Sequence, residues 1–171
     1  MEAIQFDTIS VDVSTGNFLI RGEVEARGDL MVFLNDHNRS SFPIRDAKFM
    51  PDGPEYKVPP MQQPNFTVSQ EHVAFVAVIK DTAVEKIQFV NSSRTVVFYT
   101  NWFAIRGELH VSSEARDDEL LDPTKEFFAV TDVAIYPIRQ MTNKPQRRYP
   151  LVAIQRSGIV GYHVYQNGNE E

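Results

Sequence analysis

FLIRGEVEA, Phe18 to Ala26, decides how this chain is read, because nearly the same words return 85 residues later as FAIRGELHV, Phe103 to Val111. In the first copy Phe18, Ile20, Gly22, Val24 and Ala26 share one side of a strand, with Arg21, Glu23 and Glu25 opposite. In the second, Phe103, Ile105, Gly107, Leu109 and Val111 share one side, with Arg106, Glu108 and His110 opposite. Strict alternation of this kind marks a strand with one buried face. Gly22 and Gly107 fall mid-strand on the inward side, where glycine serves a bulge, a bend or a close backbone approach. Two equivalent glycines predict two equivalent bends, the device by which a small sheet curls into a barrel.

The flanking segments extend the repeat. TISVDVSTGNF lies over SRTVVFYTNWF, and FPIRDAKFMP lies over FAVTDVAIYP with Asp46/Asp132 and Pro51/Pro137 in step after one gap. VSQEHVAFVAVI can be laid on AIQRSGIVGYHV through Gln70/Gln155. The reading is an all-β chain of two tandem small β-barrels, about five strands each, related by internal duplication. The boundaries are 1–85 and 86–171, with the linker near Lys80 to Ser93. Further strands are expected over Ile9–Val13, Leu30–Leu34, Phe42–Phe49, Val73–Ile79, Val96–Tyr99, Phe127–Ile135 and Ile159–Tyr165. The one short helix is expected in the second unit, in SSEARDDELLD, where Ser112 or Ser113 caps, acids fill the first turn and Pro123 stops it. MPDGPEYKVPPMQQPN, with five prolines, is expected as an extended surface connection.

The pattern F-x-I-x-G-x-[VL] followed by F-x-[IV]-x-D-[AV]-x-[FIV] resembles an uncharacterised family of small bacterial β-barrel domains and, more loosely, the Sm-like and SH3-like barrels. Phe18, Ile20, Gly22, Val24 and Asp46 carry the match in the first half; Phe103, Ile105, Gly107, Leu109 and Asp132 carry it in the second. Gly22, Gly107, Asp46 and Asp132 are therefore assigned structural roles. Sm-like proteins bind RNA or assemble into rings. The second Sm signature has no counterpart here, so RNA binding is not carried over.

Composition narrows the function. The chain has 171 residues, 42% hydrophobic and 23% charged, as an ordinary folded protein has. Residues 1–85 hold 13 acids and 7 bases, and residues 86–171 hold 10 of each, so neither half carries the basic surface that nucleic-acid binding uses. Without Cys there is no disulfide, thiolate nucleophile or Cys-bound zinc. No apolar run is long enough to span a membrane, and MEAIQFDTIS lacks an apolar signal core, so the expected location is the cytoplasm.

No motif names a reaction. The four histidines, His37, His72, His110 and His163, lack metal-ligand spacing, and the acids from Glu114 to Asp122 lack the pattern of a calcium loop. There is no G-x-S-x-G elbow and no phosphate-cradling glycine loop. No catalytic residue, metal, cofactor or small-molecule site is nominated. RGD, Arg27 to Asp29, reads as a turn.

The expected function is a non-catalytic scaffold or adaptor that binds a protein partner, or self-associates, through loops and strand edges. Trp102, Val73, Phe75, Ile159 and Tyr162 are the partner-binding candidates: a lone Trp beside an inward Phe, and the strongly β-forming segments VAFVAVI and IVGYHVY, which need covering. The alternative is an Sm-like nucleic-acid-binding module using the loop KPQRRYP, where Lys144, Arg147 and Arg148 adjoin Tyr149 as an anion site with a stacking ring.

Overall fold

The structure, a computed structural model, describes residues 6–53, 55 and 57–166. Ten strands form one antiparallel sheet: β1 (Phe6–Ser14), β2 (Phe18–Arg27), β3 (Ser41–Pro51), β4 (Met61–Ser69), β5 (Phe75–Val78), β6 (Ser93–Thr100), β7 (Phe103–His110), β8 (Phe127–Pro137), β9 (Arg148–Gln155) and β10 (Ile159–Val164). Their spatial order is β10-β6-β7-β8-β9-β5-β1-β2-β3-β4. The all-β expectation holds. The expectation of two barrels does not, because the sheet is not closed: β5 pairs with β9 of the other half, and β4 and β10 are left at the two ends.

Each half nonetheless repeats one local order. Read from one edge, β5-β1-β2-β3-β4 and β10-β6-β7-β8-β9 are the same walk along the chain. The glycine surroundings correspond too. At Gly22 the β2·β3 register slips between Arg21 and Glu23, and at Gly107 the β7·β8 register slips between Arg106 and Glu108. The residue each glycine accommodates is an aspartate in the left-handed region, Asp46 at φ 48° and Asp132 at φ 49°. An extra residue inserted opposite one position is a β-bulge, which bends the strand and increases its twist. A Cβ on Gly22 would lie 2.5 Å from Ile44 Cγ2 and 2.6 Å from the Arg45 carbonyl; on Gly107 it would lie 2.4 Å from Val130 Cγ1 and 2.9 Å from the Thr131 carbonyl. Glycine is required at both places by close approach of the neighbouring strand.

Pairing also corrects the last alignment. Pro64 in β4 lies across from Asp46, and Pro150 in β9 lies across from Asp132, so the two halves correspond here with an offset of 86 residues. The short 3-10 turns Gln70–His72 and Arg156–Gly158 then match, and Gln70 corresponds to Arg156 rather than to Gln155. Met61 to Asn65, expected in a loop, belongs to β4.

The helix sits in the other half from the one expected. Leu30–Leu34 forms α1, capped by Asp29, whose side chain accepts the Val32 N–H at 2.9 Å after the left-handed Gly28. RGD is thus a strand end, a turn and a cap. Residues 112–122 make turns instead, held by the ion pairs Arg94–Asp117 and Arg116–Asp118 and by Tyr162 Oη, which accepts the Leu120 N–H. The connection over 80–92 is packed rather than loose: Ala83, Val84, Ile87 and Phe89 lie against the core, and Phe89 stacks on His110 at 4.3 Å.

Two cores lie on the sheet. One gathers Val11, Ile20, Leu34, Phe42 and Ile44 with Val76 and Val78 of β5 and Leu151 and Ala153 of β9. The other gathers Phe98, Phe103, Ile105 and Val130 with Phe75 and Ala77 of β5 and Val152 and Ile154 of β9. Successive residues of a strand point to opposite faces, so β5 and β9 carry one core on each side. Gly22→Ala and Gly107→Ala should each lower stability by about 1–3 kcal/mol, as overpacking against a fixed neighbour does. Urea denaturation of the two variants checks this; wild-type midpoints would mean that the bulges are not forced by close approach.

Candidate functional site

The sheet ends and the seam between the halves are the places where binding chemistry can be located. At one end β4 pairs only with β3, and Gln62, Gln63, Asn65 and Thr67 are exposed. At the other, β10 pairs only with β6, and Val160 is 71% exposed. Each therefore presents backbone N–H and C=O groups with no strand opposite them among the described residues, the form of edge that accepts another strand. Ile159 and Tyr162 lie on β10, half-buried against the second core, so two of the partner candidates are at a real edge. Val73 and Phe75 are not. Both are buried, and β5 is flanked by β1 and β9 in the middle of the sheet.

Trp102 is also engaged within the chain. It sits in the β6–β7 turn and packs against Gly16 in the β1–β2 turn of the other half, where a Cβ would lie 2.2 Å from the indole nitrogen. The Arg139 guanidinium stacks on the indole at 3.9 Å and donates to the Gly16 carbonyl at 2.7 Å. Trp102 thus packs at the internal seam between the halves.

The basic loop is divided. Lys144, Arg147 and Arg148 are exposed, and Arg147 lies over the ring of Tyr136 at 5.6 Å. Tyr149 is buried in β9 and points the other way. Its hydroxyl donates to Asp12 Oδ2 at 2.6 Å and accepts the Gln146 N–H at 2.8 Å. Burial first, then the Asp12 charge, raises its ionisation far above the ordinary tyrosine range. Asp12 is wholly buried, and Arg21 clasps it with Nε and Nη2 at 2.7 and 2.9 Å, a charge-assisted bidentate pair. The triad binds β1 and β2 to β9 across β5. Its sequence signal was the lone Asp in the apolar strand SVDVS, which needs a partner if buried.

Other cross-links complete the seam. The Asn35 side chain accepts the N–H groups of Glu126 and Phe127 at 3.0 and 2.9 Å and donates to the Phe127 carbonyl at 2.9 Å. Past the other end of β8, Asn143 Nδ2 donates to the Pro51 carbonyl and Thr142 N to the Asp52 carbonyl at 2.9 Å. The Asp52 carboxylate is 1% exposed and accepts no hydrogen bond from the described residues. Burial pushes its pKa up to about 7 against the opposing pull of Arg139.

A cleft of about 670 Å³ opens between the 37–41 loop and the two 3-10 turns, lined by Arg39, Arg156, His37, Glu71, Glu126 and the buried amide of Gln70. Gln70 Nε2 donates to the Leu34 carbonyl, while its Oε1 has no partner among the described residues. The lining mixes both charge signs, and no Ser–His hydrogen bond forms in it among the described residues. The four histidines lie apart: His37 at the cleft, His72 beside Glu71, His110 on Thr131 and His163 on Tyr99. Among the described residues no three acidic or histidine side chains converge as metal ligands, and no helix is long and apolar enough to cross a membrane.

Comparison with protein-family models, with curated proteins and with solved structures finds no match to this chain. The family resemblance rests on the residues quoted for it.

The buried Asp52 gives a pH signature. A carboxyl whose folded pKa lies above its unfolded value binds more protons folded than unfolded, so stability falls as pH rises through the window between them. From pH 4 to about 7 the protein should lose on the order of 1–2 kcal/mol from this group, and Asp52→Asn should flatten that slope. Urea midpoints of both proteins across this range are the check; parallel curves would show that Asp52 is solvated in the folded state.

Proposed function

We propose that this chain is a non-catalytic scaffold that binds a protein partner by accepting an extended strand at the ends of its sheet, and that it does so in the cytoplasm. One observation carries the reading: among the described residues β4 and β10 each have a neighbour on one side only, at opposite ends of a ten-stranded sheet. Backbone pairing at such an edge provides affinity, and side chains alternating on the two faces provide selectivity. Val160 on β10 and Met61 on β4, 40% exposed, offer apolar contacts beside those backbones. The matching bulges, prolines and strand orders support a further part of the proposal: the two halves descend from one five-stranded ancestor, copied head to tail and joined edge to edge.

The nucleic-acid alternative has less support. Its stacking ring, Tyr149, is turned into the seam, and the remaining Lys144, Arg147 and Arg148 lie in a chain of net charge −6. Among the described residues no group of three His, Asp or Glu side chains gathers as a metal site to favour a competing reading.

A photo-crosslinking amino acid placed at Thr67 on β4 or at His163 on β10, both exposed, tests the proposal in living cells. Adducts to protein should form from these two positions and not from Arg116, an exposed turn residue between β7 and β8. Equal adduct yields at all three, or none at the edges, would overturn it.

A further inference from the structure

We propose that the strand accepted at each edge belongs to a second copy of this chain, with β10 of one molecule pairing with β4 of the next in the geometry that β5 and β9 already adopt within the molecule. The inference rests on the strand-acceptor reading above and adds the occupant and the register.

The chain contains a worked instance of the contact. β9 corresponds to β4 and β5 corresponds to β10 in the common strand order, and β5·β9 is an antiparallel junction four residues long. The two unpaired edges of the molecule are thus the same two kinds of edge that meet at its centre. They are complementary to each other, and neither is complementary to itself. A contact of this kind is heterologous and propagates head to tail until the rotation closes a ring, or else continues as an open chain.

The register can be transferred residue by residue. β5 pairs with β1 through Ser14↔Phe75, and β10 pairs with β6 through Tyr99↔Gly161, while Val11 and Val96 both face the bulge glycines. Phe75 therefore corresponds to Gly161 and Val78 to Val164. On the other side, Leu151 to Ile154 correspond to Asn65 to Val68. The internal pairs Phe75↔Ile154 and Val78↔Leu151 become Gly161↔Val68 and Val164↔Asn65 between molecules. Proline supports this frame. Pro150 sits just before the four paired residues of β9 and Pro64 just before their counterparts in β4, so both edges lose an N–H donor at the same point, outside the ladder.

Packing follows the same rule. β5 and β9 are covered by one core on each face because each half supplies its own. At the free ends, β4 leans on the first core through Val68 and Phe66, and β10 leans on the second through Ile159, Tyr162 and Val164. Joining β10 to β4 of another molecule places those two cores on opposite faces of the new pair, as at the centre. The edge strands are more polar than β5 and β9, with Asn65, Thr67 and His163 exposed, so the junction between molecules is the weaker one and depends on concentration.

The absence of native cysteine makes a direct test simple. Residues paired across antiparallel strands have the Cα spacing a disulfide needs. Asn65→Cys with Val164→Cys in one chain should yield covalent multimers on mild oxidation, as one discrete species for a ring or a ladder for an open chain. Asn65→Cys paired with Arg116→Cys should stay at least tenfold less linked. Native mass measurement of the unaltered protein should show multiples of 19.5 kDa rising with concentration to about 100 µM. A strict monomer at that concentration, with no register-specific linkage, overturns the inference. If Thr67 and His163 then crosslink only to other proteins, the strand-acceptor reading stands without it; if they crosslink to nothing, both fall.

Discussion

The structure depends on the contact between β5 and β9. These two strands bring together halves that would otherwise be separate curled sheets, and they are buried on both faces because each half lays its core on a different side. Phe75, Val76, Ala77 and Val78 on one strand and Leu151 to Ile154 on the other are each almost wholly removed from water. Burying an apolar side chain stabilises by about 1.5–3 kcal/mol, and every residue of this short ladder is apolar and buried. The polar seam sits around it. Asp12 with Tyr149 and Arg21, Asn35 with the start of β8, and Arg139 with Trp102 and Gly16 fix the orientation of the halves. Buried polar groups that are fully satisfied specify one arrangement, and a charge left without its partner would be costly.

The local signals were legible in the residues. Alternation around Gly22 and Gly107 gave the strand, its inward face and the bend, and the structure supplies the cause: Asp46 and Asp132 enter the left-handed region opposite each glycine and pull the next strand within contact of its Cα. What the sequence left open was the partner of each end strand. VAFVAVI is apolar at every position, which is how a strand covered on both faces reads. Nothing in it says whether the second cover comes from another molecule or from the other half of the same chain. Strand-edge pairing between residues 75 and 154 is a long-range choice, and no periodicity within either segment encodes it.

The helix and the binding candidates erred for related reasons. LMVFL is a five-residue apolar run that fits a strand or one helical turn equally well; the Gly28 turn and the Asp29 cap decide for the helix. SSEARDDELLD has a helical look, but its acids take partners in Arg94, Arg116 and Thr124, and local side-chain hydrogen bonds compete with the helix. Trp102 and Phe75, expected to meet a partner, and Tyr149, expected to stack beside an anion, all pack inside the chain. Their interface is the seam inside the chain, and the edges that face outward are the plainer strands β4 and β10.

Hydrogen exchange of individual backbone amides under native conditions is the most direct measurement of the central claim. If β5 and β9 unite the molecule, the amides of Phe75–Val78 and Leu151–Ile154 exchange only through global opening and fall in the slowest class together with those of β2 and β7. Fast exchange at β5 and β9 while β2 and β7 stay protected would show two independently folded halves in loose contact, and would contradict the account.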